Sequence, residues 1–402
     1  MKIFILFSII LVLLSSAPLA KAELLVGWWA DLANQDQFPT WASYGVNFVH
    51  FNWCLAGYRN APSVYSIANI KSFLDAAQAN GIKVSIAANA DDPGIDSEHT
   101  AWPTTASGFT SFLNNFKNHS ALWGWYLADE PELASNPTLG YTYLSTNPGY
   151  YPLAKATDPV HYAWLVNSGA IATAWNDVRD LFAIDLYPKS NTSSEFGDSQ
   201  LRQSYDFWMN GFTLAKANNK LPFLVLVQGM GIGYGDYGDL TTDELRYHVF
   251  SPIVQGIDKV LFWTYTETNA TMASRVNQTI AQIMAVKTEM QNGITNDPRI
   301  TVSQPHTSLT YRYGANGTSN VILAVNIANR NSISGSTLSN VQFNLAPGVR
   351  PTEVEVIGEN RTLPVSNGVF TDTFNRFEVH LYRFITSSVF TPPSPPKGLR
   401  VR

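Results

Sequence analysis

The chain has 402 residues, 45% of them hydrophobic and only 14% charged, which is enough apolar material for one large buried core and a second, smaller unit. The net charge is −5, from 26 basic and 31 acidic residues, and no basic run or patch is present, which argues against nucleic acid as a partner. Cys54 is the only cysteine, so an intrachain disulfide is excluded and stability must come from core size.

Residues 1–22 read as a secretory signal: Lys2 is the charged start, Ile3 to Leu14 is apolar, and Ala20-Lys21-Ala22 is a small-x-small cleavage pattern. The alternative, a membrane anchor, needs ~20 apolar residues and the run is well short of that. The expected product is a secreted or extracytoplasmic chain that begins near Glu23 and keeps no membrane association after cleavage.

From Glu23 to about Gly293 strand and helix patterns alternate. Eight short apolar runs read as strands: LLVGWW, VNFVHFNW, KVSIAAN, LWGWYLA, HYAWLV, LFAIDLY, PFLVLVQ and KVLFWTY. Near-continuous hydrophobic runs are expected of parallel strands buried on both faces. Helix patterns lie between them, such as SIANIKSFLDAAQAN, stopped by Gly81, and TTDELRYHVFSPIVQG, with Thr242 as cap and Gly256 as stop. Eight such units in about 270 residues predict an α/β fold, a (β/α)8 TIM barrel over residues 23–298. An open doubly wound sheet is the competitor, disfavoured because no glycine-rich phosphate loop follows the first strand. After Thr295 the pattern changes to alternating apolar and polar residues in SLTYRYG, NVILAVNIAN, VQFNLA, TEVEVIGEN and FEVHLYRF. This predicts a small antiparallel β-sandwich over 299–386, followed by a proline-rich tail, 387–402.

The chemistry is expected where the strands end. LWGWYLADEPE runs from an aromatic strand into three carboxylates, Asp129, Glu130 and Glu132. A helix start would explain acids around a proline, but not the aromatic strand that leads into them. In a barrel all strand ends share one mouth. That mouth would gather Trp28, Trp29 and Asp31 from strand 1, Asn52 and Trp53 from strand 2, and Asn89, Asp91 and Asp92 from strand 3. The later strands would add Asn167, Asp185, Tyr187, Gln228, Trp263, Tyr265 and Glu267. Acids, amides and aromatics on most strand ends suggest a polar, ring-lined carbohydrate pocket. Each acid taken singly is more readily read as a structural hydrogen-bond partner or a surface charge than as a catalytic group. Glycoside chemistry needs two carboxyl groups, one to protonate the leaving oxygen and one to attack or to activate water. Burial and nearby Asp129 would help Glu130 hold the proton that a general acid needs.

The chain resembles the retaining (β/α)8 glycoside hydrolases that carry an acid/base Glu after strand 4 and a nucleophile Glu after strand 7. The resemblance rests on the strand-4 acids, the Asp158-Pro159-x-His161 turn before strand 5, the Asp185-x-Tyr187-Pro188 ending of strand 6 and the FWTY ending of strand 8. It is also similar to secreted barrel proteins with a YLxDEP motif and a strand 7 ending in Gln. The resemblance implies Glu130 as acid/base and Trp263 as aromatic platform. It departs at Asp129, where Asn is usual, and at Gln228, which stands at the nucleophile position. A neutral amide cannot be a glycosyl nucleophile, although it can bind a hydroxyl or orient water. Asp185 is the first candidate for the second catalytic carboxylate. Glu267, Asp31, or a substrate acetamido group oriented by Asp129, are the others.

No metal-ligand spacing, serine-nucleophile elbow or phosphate loop occurs, so no cofactor or metal is expected. His50 and His161 read as satisfied core or rim residues, and Cys54 as a small buried hydrophobe. GMGIGYGDYGDL, after strand 7, reads as a mobile lid. The expected function is a glycosidase that hydrolyses a poly- or oligosaccharide, with Glu130 as general acid. A carbohydrate-binding barrel that has lost its nucleophile is the alternative.

Overall fold

A computed structural model describes residues 23–52, 54, 62–88, 105–133, 136–168, 173–188, 198–232, 237–265, 268–303, 308–327 and 337–386. The expected signal segment and the proline-rich tail lie outside the described residues. Strands β1 (Leu25–Ala30), β2 (Phe48–Phe51), β3 (Lys83–Ala87), β4 (Leu122–Ala128), β5 (Tyr162–Ser168), β6 (Leu181–Asp185), β7 (Phe223–Gln228) and β8 (Lys259–Trp263) pair in parallel, in sequence order. β8 closes back on β1. The eight apolar runs are thus the eight strands of a closed barrel, and nearly every residue in them is buried between the barrel interior and an outer helical layer.

That layer consists of α1 (Phe38–Tyr44), α2 (Ile67–Ala79), α3 (Ala106–Phe116), α4 (Pro137–Ser145), α5 (Tyr150–Thr157), α6 (Asp198–Ala217), α7 (Thr242–Ile253), α8 (Ala270–Ala285) and α9 (Lys287–Gln291). Ser66 caps α2 by accepting from the Asn69 N–H at 3.2 Å. The cap of α7 is Thr241, one residue before the one expected. Glu244 lies three residues after Thr241, so its carboxylate reaches back to the Thr241 N–H at 2.7 Å while Thr241 Oγ1 accepts from the Glu244 N–H.

The C-terminal part is two antiparallel sheets. One, in the order β10-β13-β16, contains β10 (Ile300–Ser303), β13 (Leu338–Leu345) and β16 (Val369–Phe374). The other has six strands: β9 (Ile294–Thr295), β11 (Leu309–Asn316), β12 (Ser319–Asn326), β14 (Glu353–Val356), β15 (Arg361–Pro364) and β17 (Val379–Ile385). β9 precedes the expected boundary at 298/299 yet pairs with β11. β12 is buried along almost its whole length, for a visible reason. Ile322 and Ala324 face the core between the two sheets, whereas Val321, Leu323 and Val325 join the barrel's own core. The six-stranded sheet is therefore covered on both faces along β12, at its centre.

α7 fits between this sheet and β7, which explains why Leu245 to Ile253 are all buried. Tyr247 packs on Phe377 with ring centroids 4.6 Å apart, and Arg246 lies 3.9 Å from Glu359. Gly314 lets β11 come down onto α9, since a Cβ there would fall 2.0 Å from the Glu289 carbonyl oxygen.

Beside this contact His380 is buried among acids. Its ring nitrogens lie 2.5 Å from Glu359, 3.5 Å from Glu378 and 4.0 Å from Asp372, and Arg361 bridges Glu359 and Asp372. Burial opposes the imidazolium, but the hydrogen bonds to Glu359 and Glu378 outweigh it and push the pKa from 6.5 up to about 9. A pKa raised on folding means that this contribution is complete below 6.5 and is lost as pH rises through about 9. Urea unfolding should show a stability drop of about 1–3 kcal/mol across that window, and His380→Gln should flatten it. An unchanged pH dependence in His380→Gln would reject the assignment.

Candidate active site

A cavity of about 360 Å³ opens at the carboxyl ends of the barrel strands. β1 contributes Trp29, and the segment after β4 contributes Asp129, Glu130 and Leu133. β6 leads into Asp185, Leu186 and Tyr187, and β8 ends in Trp263. Ser168, Leu226 and Tyr237 complete the wall. Tyr187 stacks on Trp263 at 4.9 Å with 21° between ring planes, and Tyr237 meets Tyr187 edge-on at 6.0 Å. The site is thus a set of rings on rigid strand ends around three carboxyl groups.

The acids are held differently from one another. Tyr126, on the inner face of β4, donates its hydroxyl to Asp129 Oδ1 at 2.6 Å. Glu130 has φ = +38°, in the left-handed region that costs a side-chain-bearing residue energy. Asp185 is 5% exposed, within hydrogen-bonding reach of the Glu130 carboxyl and of the Tyr187 hydroxyl. Burial first, then the charges of Glu130 and Asp129, push the Asp185 carboxyl well above the ordinary range. The Tyr187 phenol, also forced up by burial and by these acids, stays protonated as a donor to Asp185.

Glu132 supports the site without lining it. It accepts from Asn167 Nδ2 and from the Ser168 N–H, each at 2.5 Å, and Asn167 in turn accepts from the buried Arg179. Burial lowers the Arg179 guanidinium to about 10 against the opposing Glu132 charge. Glu132 thus ties the acid-bearing turn to the end of β5; it does not open the next helix. The Asp158 turn is structural as well: Asp158 accepts from Trp125 Nε1 at 2.9 Å and contacts the His161 ring at 2.7 Å.

Several expected wall residues lie elsewhere. Trp28 points away from the cavity, packing on Trp41, Phe262 and Tyr265 and donating to Asn277 at 3.3 Å. Strand alternation makes Trp29 the wall residue. Tyr265 shares that outer cluster and donates to Gln37 at 3.2 Å. Asp31 caps the 3-10 turn Leu32–Gln37, accepting from the Ala33 N–H at 2.8 Å. Asn52 closes the end of β2, its N–H reaching the Ala30 carbonyl at 2.8 Å. Asn89 and Glu267 lie outside the described residues, as do Trp53, Asp91 and Asp92.

Gln228 is fully buried and is not among the lining residues. Its amide donates to the Gly238 carbonyl at 2.8 Å and to Met230 at 3.4 Å, fixing the glycine-rich segment after β7. Asp239 pins the same segment through Ile232 and Asn269, both at 2.8 Å. Gln228→Glu would put back the residue type that the resemblance expects. It would also lose two donated hydrogen bonds and set a carboxylate against carbonyl oxygens. We expect destabilisation by about 1–3 kcal/mol and no gain in turnover, read by thermal unfolding beside a glycoside assay. A gain in turnover would show that position 228 reaches substrate.

Below the cavity, His50 is fully buried against Trp29, Tyr126 and Trp164, with ring centroids at 3.9, 4.8 and 5.6 Å. Among the described residues neither ring nitrogen has a hydrogen-bond partner, which corrects the expectation of a satisfied core histidine, and burial drives its pKa well down. Cys54 is buried too, with its thiol pushed up by desolvation, which leaves it a structural residue.

No protein-family model matches the sequence, and no curated protein matches it either. Solved structures do match the fold. A GH30 endoxylanase from Clostridium papyrosolvens aligns over 90% of this chain and 97% of its own, at 13% identity and TM-score 0.51. A family 5 glycoside hydrolase from Bacteroides vulgatus aligns over 90% and 89%, at 9% identity and TM-score 0.57. AmyP, solved with maltose, aligns over 90% and 97%, at 8% identity and TM-score 0.53. The chain has the fold of the (β/α)8 glycoside hydrolases, a closed parallel barrel followed by a β-sandwich.

Proposed function

We propose that this chain is a secreted glycoside hydrolase that cleaves O-glycosidic bonds of an oligo- or polysaccharide. One observation carries the proposal: two neighbouring carboxyl groups, Glu130 and Asp185, in a ring-lined cavity at the barrel mouth. Glu130, the more exposed of the two, would deliver a proton to the leaving oxygen, with the more buried Asp185 carboxyl beside it as the proton's source. The departing sugar takes that proton, water attacks the anomeric carbon, and the water's proton returns to the Asp185 carboxylate. One proton leaves the pair and one comes back. Asp129, held by Tyr126, accepts from sugar hydroxyls, while Trp263 and Tyr187 offer stacking faces.

Carboxyls in hydrogen-bonding reach are closer than the roughly 5–5.5 Å of retaining enzymes or the 6.5–9.5 Å of inverting ones. Substrate must therefore part the pair, and Glu130, on its strained turn, is the member set to move. The second reading, a carbohydrate-binding barrel without turnover, is favoured by the one departure at Gln228, which gives β7 no acid in the wall. A turnover screen on aryl glycosides and polysaccharides decides between them. Sugar binding with no turnover on any substrate would reject the hydrolase.

A further inference from the structure

We infer that the cavity selects a sugar carrying a free ammonium group, an amino sugar that is not acylated, over neutral or acidic sugars. The inference rests on reading the cavity as a glycoside site. Three carboxyl groups, Asp129, Glu130 and Asp185, line it, and among the described residues no Lys, Arg or His does. Three carboxyl groups without a basic side chain beside them make the wall acidic. The rings of Trp29, Tyr187, Tyr237 and Trp263 surround those acids, and aromatic faces attract cations as well as sugar rings.

A second observation points inward. Asp185 is 5% exposed, and its Oδ1 finds no hydrogen-bond donor among the described residues. A buried carboxylate oxygen without a donor is costly, so it is a place for a ligand donor. A hydroxyl could supply one hydrogen bond, but an ammonium supplies three donors and a positive charge that suits a wall of acids with no basic side chain among the described residues. A uronic acid or a sulfated sugar would bring like charge into the same space. A bare metal ion fits less well: among the described residues no three or more His, Cys, Asp or Glu are placed to hold one.

The test is equilibrium binding by the whole chain, followed through tryptophan fluorescence, since Trp29 and Trp263 line the cavity. Three tetramers are compared: β-1,4-linked glucosamine, its fully N-acetylated form and cellotetraose. The pH is roughly 5.5, well below an ordinary amine pKa. The glucosamine tetramer should bind about tenfold tighter or more than the other two. The preference should collapse in about 1 M NaCl, where exposed charges are screened within ~3 Å. Asp129→Asn should weaken binding of the glucosamine tetramer more than that of cellotetraose, so that the ratio between them narrows. Equal or weaker binding of the glucosamine tetramer, a preference that resists salt, or no binding of any tetramer would each overturn the inference. The hydrolase reading is judged apart from this, by the turnover screen.

Discussion

Glu130→Gln should lower kcat/KM on an oligosaccharide by about 10²–10⁴-fold, the range for loss of a general acid, while the chain stays folded. The amide keeps the size of the carboxyl and removes the proton that leaves with the sugar. Folding should not suffer, because the change removes one of the two neighbouring charges that, after burial, raise the Asp185 carboxyl. The leaving group sharpens the result. An aryl glycoside with a good leaving group needs little protonation, so its loss should be far smaller than that of a sugar leaving group. Asp185→Asn should also cut turnover, and it should move the alkaline limb of the pH–rate profile toward acid, since the carboxyl held above its ordinary range is gone. It should raise the unfolding midpoint at neutral pH, because a carboxyl with a raised pKa costs stability wherever the unfolded chain would ionise it. Turnover that survives Glu130→Gln on both kinds of substrate would remove Glu130 from the mechanism.

The adjacent tryptophans should separate cleanly. Trp28→Ala should destabilise the protein by about 3–5 kcal/mol, the range for emptying a buried aromatic site, with KM little changed in what remains folded. Trp28 fills the space between β1, α1 and β8 and is fully buried. Trp29→Ala should act mainly on sugar binding, since its ring is wall to the cavity. Thermal unfolding and binding isotherms on both variants check this. A large KM effect from Trp28→Ala with unchanged stability would put the wrong ring in the wall.

This pair also marks how far the sequence could be read. The eight strands were legible because parallel strands buried on both sides leave short continuous apolar runs, here separated by helix patterns from Glu23 to about Gly293. The same continuity hides which way each side chain points. LLVGWW has no polar residue to phase it, so Trp28 and Trp29 could not be told apart until β1 was set between α1 and the barrel interior. Tyr265 was misread for the same reason, two residues beyond Trp263. Asp185 was legible because an acid ending an otherwise apolar strand has few structural uses. Tyr237 and Leu133 had no such signal: one follows a glycine-rich stretch and the other a proline turn, and only the folded chain brings them to the wall. Asp31 and Asn52 were plausible by position, but local backbone needs claimed one for a cap and left the other at a strand end.

The sheet covered on both faces along β12 has a further meaning. Appended sugar-binding modules are commonly interchangeable parts that can be lost or swapped between proteins. Here Val321, Leu323 and Val325 belong to the barrel's core as much as Ile322 and Ala324 belong to the sandwich's. Separating the two at residue 293 would leave two greasy wounds, one along α7 and one across β12. Barrel and sandwich are therefore a single heritable unit: any recombination that keeps one must carry the other.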